Sequence, residues 1–149
     1  MSEFLEVTVD KFSFKVATDR LYTGDHLWLK MVDGLVVIGL TDYLQQTAGD
    51  VAFAEPEPEA TSLVAGDILA NIETMKTTLD IPSPISGVVK MVNPRLEDEP
   101  ELVNQEPYGE GWLVGLEPAD WAAAQAGLLN PDDYFEKMKA EAEAEAKKI

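Results

Sequence analysis

An antiparallel β-sandwich or flattened barrel, closed off by C-terminal helices, is the fold class that this 149-residue chain predicts. Three observations lead there. The β-favouring runs are short and numerous, pairs of Gly, Asn, Asp and Pro punctuate them, and the texture turns helical after Pro118. A hydrophobic content of 46% in a chain of single-domain length supplies a core large enough for such a fold.

The elements follow in order. Residues 7–16, VTVDKFSFKV, alternate as one half-buried strand. Further strands are expected at 27–32, 35–40, 51–54, 68–73, 77–81, 88–92 and 112–116. Turns between them are marked by Asp33-Gly34, Gly66-Asp67, Pro82 to Pro84 and Asn93-Pro94. DYLQQTA, 42–48, reads as a short helix capped by Asp42. EPEPEA, 55–60, reads as a stiff exposed loop. Beyond Pro118, Asp120 caps a helix WAAAQAGLL, and Asn130 caps a second that begins at Pro131 and runs to the end. Trp121, Leu128, Tyr134, Phe135 and Met138 are placed to dock on the sheets. After Lys139 the repeat EAEAEAKK shows no apolar face, so a solvated, frayed tail is expected.

Charge narrows the partners. A net charge of −17 repels nucleic acid and anionic membrane surfaces, and it favours basic protein partners and a monomer. No apolar run is long enough for a membrane span. The start, MSEFLEV, carries no export signal, and zero cysteines exclude disulfides and thiolate metal sites, so a cytoplasmic location is expected. No Ser–His–Asp arrangement, phosphate-binding glycine loop or metal cluster is visible, and no catalytic residue is assigned.

One stretch is unusual. NIETMKTTLDIPSPISG, 71–87, reads as a hairpin, yet its tip Thr74-Met75-Lys76-Thr77 has none of the residues that tight turns prefer. Gly66-Asp67 and Gly87 bracket Lys76 almost evenly, so two strands of similar length would carry one ammonium to the end of a stiff hairpin.

From Leu21 to Pro118 the chain resembles the H protein of the glycine cleavage system, a lipoyl carrier. The segments LYTGDHLWL, GLTDYLQQTAGDVAF, AGDILANIETMK, SPISGVVKMVN, LEDEPELVN and PYGEGWLVGLEP carry the resemblance, and LLNPDDYFEKM resembles the family's C-terminal helix. It implies a lipoyl/biotinyl-type flattened barrel-sandwich hybrid over 21–118, with 1–20 as an N-terminal extension and 119–149 as helices and acidic tail. It further implies that Lys76 bears lipoic acid as an amide, forming a swinging arm on a non-catalytic carrier. Glu73 and Gly87 match positions associated with the lipoate-attaching enzyme, Glu73 otherwise being a solvated carboxylate and Gly87 a tight-turn residue. His26 matches a family histidine near the arm. Asp42, Tyr43, Tyr108, Gly109, Gly111 and Trp112 match segments expected to hold the sandwich together.

The resemblance has gaps. H proteins typically read close to E-S-V-K-A-A-S-D around the modified lysine, where this chain keeps only Glu73, Lys76 and Asp80. Leu27 follows His26 where the family has glutamate. These departures point to a specialised paralogue of the H protein, resembling the H-like lipoate-binding proteins and serving a heterodisulfide-reductase-like complex and a sulfur-transfer protein in sulfur oxidation. The alternative is glycine cleavage itself, with glycine decarboxylase, aminomethyltransferase and dihydrolipoyl dehydrogenase as partners. A third reading is a biotin carboxyl carrier, because Glu73-Thr74-Met75-Lys76 imitates the E-A-M-K of biotin carriers.

Overall fold

The structure is a computed structural model that describes residues 3–147. Its strands are β1 Phe4–Val9, β2 Phe12–Ala17, β3 Leu21–Tyr22, β4 Leu27–Val32, β5 Leu35–Leu40, β6 Val51–Pro56, β7 Ser62–Leu63, β8 Ile68–Thr74, β9 Thr78–Pro82, β10 Gly87–Val92 and β11 Val114–Pro118. The helices are α1 Asp42–Ala48, α2 Leu102–Gln105, α3 Trp121–Gln125 and α4 Pro131–Ala146, with a 3-10 turn at Pro94–Leu96. All pairings between strands are antiparallel. They form a six-stranded sheet in the order β3-β4-β5-β11-β10-β7, a three-stranded sheet β6-β8-β9, and the hairpin β1-β2. The sheets stay open, so the sandwich part of the expectation holds and barrel closure does not.

Alternation sends one face of each sheet into a shared core of Leu27, Leu29, Ile38, Leu69, Ile72 and Leu116, among others. A second core lies on the other side of β4. There Trp28 packs with Phe14, Tyr22, Tyr43, Tyr134 and Met138 beneath the hairpin and α4. This explains why Leu27, Trp28 and Leu29 are consecutive and all buried: β4 is covered on both faces.

Several sequence expectations need correction. VTVDKFSFKV is not one strand but parts of β1 and β2, joined at Asp10-Lys11, with Val9 opposite Phe12. Asp10 has φ +58°, a left-handed conformation that aspartate tolerates, so the turn needs no glycine. Asp42 is not the cap of α1. Thr41 takes that place, its hydroxyl accepting the Leu44 N–H at 3.2 Å, while the Asp42 carboxylate accepts the Lys15 N–H of β2. EPEPEA is not all loop: Glu55 and Pro56 end β6, an edge strand where proline's missing N–H is tolerated. The helix WAAAQAGLL is helical only over α3, although Asp120 does cap it.

The acidic tail differs most. Asn130 caps α4 as expected, and the helix stays ordered to Ala146; residues 148–149 of the expected helix lie outside the described residues. Tyr134, Met138 and Ala142, four residues apart, make a buried stripe. Ala142 completes it because its small side chain fits close against the second core, a contact that a polarity pattern does not reveal.

Candidate functional site

Lys76 stands exposed at the tip of the β8–β9 hairpin. The tip dispenses with glycine for two reasons. None of Thr74, Met75, Lys76 and Thr77 has a positive φ. In addition, the Thr74 hydroxyl does the work of a turn residue, accepting the N–H groups of Lys76 at 3.2 Å and Thr77 at 3.0 Å. The Thr74 N–H donates to the Thr77 carbonyl at 2.8 Å, and the Met75 N–H to the Asp50 carbonyl at 2.9 Å. The neighbours that make this tip unlike a usual turn are thus what hold it.

The lysine side chain lies across the end of α1. Its Nζ donates to the Thr47 carbonyl at 3.0 Å, one of the carbonyls that a helix C-terminus leaves without an intrahelical partner. Gly49 follows with φ +93°, and a Cβ there would stand 2.9 Å from Lys76 Cδ. Asn104 of α2 fixes this bend: its amide donates to the Gly49 carbonyl at 2.9 Å, and its side-chain oxygen accepts the Val51 N–H at 2.8 Å. Thr47, Gly49 and Asn104 were not singled out as site residues from the sequence. Only Gly49-Asp50 between a helix and a strand hinted at a sharp bend.

The other candidates sit at different depths. Glu73 is exposed, opposite Phe53 on β6 and Thr78 on β9, so it shares the hairpin with Lys76 and faces solvent. Gly87 is not near the tip in the ladder. The chain leaves β9 at Pro82, opposite Ile68 at the far end of the hairpin, and then enters β10 at Gly87, between Leu63 and Pro118. A Cβ on Gly87 would meet the Glu117 carbonyl oxygen at 2.5 Å.

His26 is buried and has φ +71°. Its Nε2 lies 3.0 Å from Glu141, its Nδ1 2.8 Å from the Tyr134 hydroxyl, and its ring 4.7 Å from that of Tyr43. Both ring nitrogens therefore have a partner, one on each side of the ring. Burial lowers the His26 pKa and outweighs the opposing pull of Glu141. The Tyr134 hydroxyl is also bonded to Thr41 at 2.9 Å, and burial raises its pKa. His26 thereby fastens α4 to the body, and it reaches the surroundings of Lys76 through Tyr43.

Tyr43 lines a groove of about 430 Å³ that Lys76 also lines. Among the described residues, no group of three or more His, Asp or Glu side chains is placed to hold a metal ion. No helix there is long and apolar enough to cross a membrane. An exposed primary amine on a rigid hairpin is therefore the chemically distinctive feature of the site.

The family model described as Glycine cleavage H-protein matches residues 20–141. The chain belongs to the glycine cleavage H-protein family. Curated H proteins of this family agree. The glycine cleavage system H protein of Listeria monocytogenes is 45% identical over 116 residues, spanning 78% of this chain and 92% of the relative. That of Salinibacter ruber is 39% identical over 127 residues, spanning 85% and 94%. The crystal structure of the Mycobacterium marinum H protein is similar with a TM-score of 0.70 and 30% identity, over 78% of this chain and 94% of that one. The expected sulfur-oxidation paralogue draws no support from these relatives, which carry the glycine cleavage name.

Proposed function

We propose that this H-protein-family member is the non-catalytic lipoyl carrier of a glycine cleavage system, with the lipoyl group attached through an amide to Lys76. The observation that carries this reading is the position of Lys76: an exposed amine at the end of a braced hairpin, in a chain of this family. The residues present fit the group. Acylation removes the ammonium charge but leaves an N–H that can still donate to the Thr47 carbonyl. When attached, the arm supplies a dithiolane that opens to take up a group and is restored by thiol–disulfide exchange.

The chain's own residues hold the base of the arm. Thr74 stiffens the tip, Asn104 fixes the bend beneath it, and the two strands set it away from the core. Tethering then makes each later encounter at a docked partner intramolecular. The partners in this reading are a lipoate-attaching enzyme, glycine decarboxylase, aminomethyltransferase and dihydrolipoyl dehydrogenase, met by a cytoplasmic monomer. Glu73, on the exposed face of the same hairpin, is the proposed contact for the attaching enzyme.

Intact mass after co-expression with a lipoate-attaching enzyme tests the attachment. A lipoyl increment that disappears in Lys76→Ala is expected, and a biotinyl increment would overturn the reading. Reconstituted glycine cleavage tests the pathway: activity that depends on the lipoylated chain is expected, and inactivity with competent partner enzymes would exclude this role.

A further inference from the structure

The methionines of this chain differ in how open their sulfurs are. Among the described residues, Met138 is fully buried, Met31 of β4 is 39% exposed, Met91 of β10 is 47% exposed, and Met75, beside Lys76, is 77% exposed. The Met75 side chain belongs to neither core. Nor does it hold the tip: its backbone N–H is fixed by the Asp50 carbonyl at 2.9 Å, and the Thr74 hydroxyl closes the turn. Phe53, opposite Glu73 at the same end of the three-stranded sheet, is 61% exposed. Two large apolar side chains thus stay open to water near the lysine. An enzyme that closes over Lys76 must cover the one next to it.

We propose that the Met75 thioether is a modification site, oxidised by peroxide to a sulfoxide that slows acylation of Lys76. The proposal rests on the reading of Lys76 as the attachment site. In the oxidation the O–O bond of hydrogen peroxide breaks, an S–O bond forms, and water leaves; sulfur gives up two electrons and the peroxide takes them. The chain has no cysteine, so before acylation no thiol of its own intercepts the oxidant, and the thioethers are its only sulfurs. Access ranks them, and Met75 comes first. In the free protein the sulfoxide stays hydrated, and the bonds that shape the tip are untouched because none uses the Met75 side chain. Beneath an enzyme the same group loses its water against a surface that otherwise covers an apolar chain, which disfavours the complex. Methionine sulfoxide reductases reverse the change: two thiols become a disulfide, the sulfoxide oxygen leaves as water, and the thioether returns. Met75 thereby ties loading of the carrier to the local level of peroxide.

The test uses the full, unacylated chain. Dilute hydrogen peroxide is applied and then removed with catalase, and peptide mass spectrometry orders the oxidised sites. Met75 is expected to gain oxygen before Met31, Met91 and Met138. Loading is then followed by intact mass with a lipoate-attaching enzyme and its acyl donor. The Met75 sulfoxide should lower kcat/KM for loading about tenfold, chiefly through KM. Methionine sulfoxide reductases A and B with dithiothreitol should restore it, both being needed because the sulfoxide forms as two epimers. M75L, similar in volume but without a sulfur, should show no peroxide response, whereas M31L/M91L should keep it. M75Q, polar at all times, should load slowly without peroxide. The oxidised chain should melt where the untreated one does, which separates a lost contact from unfolding. Oxidation of Met31 or Met91 ahead of Met75, loading of the sulfoxide at the unoxidised rate, or slower loading that comes with a lower melting temperature would overturn the proposal and leave the carrier reading intact. Failure of the unoxidised chain to gain a lipoyl group at Lys76 would overturn both.

Discussion

Substituting Gly87 by alanine separates packing from recognition at a position where both readings were open. The added Cβ would stand 2.5 Å from the Glu117 carbonyl oxygen and 3.2 Å from Pro118 Cα, both backbone atoms of the neighbouring strand. Contacts with a flexible side-chain end can relax at little cost, but these lie in the β10–β11 ladder, where Gly87 pairs directly with Pro118. Forcing a methyl group into such a space costs about 1–3 kcal/mol. The narrower unfolded ensemble of alanine offsets about 0.4–1 kcal/mol of that. The middle of the two ranges leaves a net loss of about 1.3 kcal/mol. At about 2–4 °C per kcal/mol for a chain of this size, the melting temperature should fall by about 3–5 °C. Calorimetry measures this, and lipoyl incorporation is followed in parallel well below the transition. An unchanged melting temperature would refute the steric argument, and a loss of incorporation by the folded, stable variant would assign Gly87 to enzyme recognition instead.

Three further outcomes are expected. Thr74→Val keeps the branched shape but removes the acceptor for the Lys76 and Thr77 N–H groups, so stability should fall by about 1 kcal/mol and the Thr77 amide should exchange faster; Thr74→Ser should restore both. Gly49→Ala places a side chain at φ +93° against Lys76 Cδ, costing about 1–3 kcal/mol and shifting the lysine resonances, whereas lysine signals that stay in place would argue against the contact. His26 is the chain's only histidine, and its pKa is lowered from 6.5 by burial, so the folded protein resists its protonation. Its contribution is therefore present above pH 6.5 and lost as pH falls from 6.5 through the lowered folded value. Urea midpoints should decline over that range in the native chain and flatten in His26→Asn, which suits the positive φ but does not titrate; a native midpoint that rises on acidification would contradict this.

The parts of the fold that were legible in the sequence are those fixed by near neighbours. β4, β5, β8 and β10 fall within a residue or so of their β-favouring runs because alternation and turn pairs are local signals. Asn130 and Asp120 read correctly as caps for the same reason. The β1–β2 turn escaped notice because it carries no glycine; its one signal is that the alternation changes phase at Asp10-Lys11, from Val7 and Val9 to Phe12, Phe14 and Val16. Lys76 was legible as a position through its bracketing residues and the family resemblance. Its setting was not, since Thr47 is 29 positions from Lys76 and Asn104 is 55 from Gly49. Distance also hid the role of the tail: Tyr134 meets His26 across 108 positions, and a Glu–Ala repeat gives no sign that one alanine will be buried.

Those distant contacts make one connected structure around Lys76. α4 is fixed through Tyr134, whose hydroxyl bonds both His26 and Thr41. Thr41 is the N-cap of α1, and the other end of α1 presents the Thr47 carbonyl to Lys76. β2 binds the same helix, through the Lys15 N–H to Asp42 and the Gln46 amide to the Ser13 carbonyl. The hairpin and α4 therefore brace the short helix on which Lys76 rests, and they also wall the groove beside it. A seven-residue helix has little stability of its own, so its fixed position depends on these contacts. Loosening either segment should thus be felt at Lys76 without touching the hairpin that carries it.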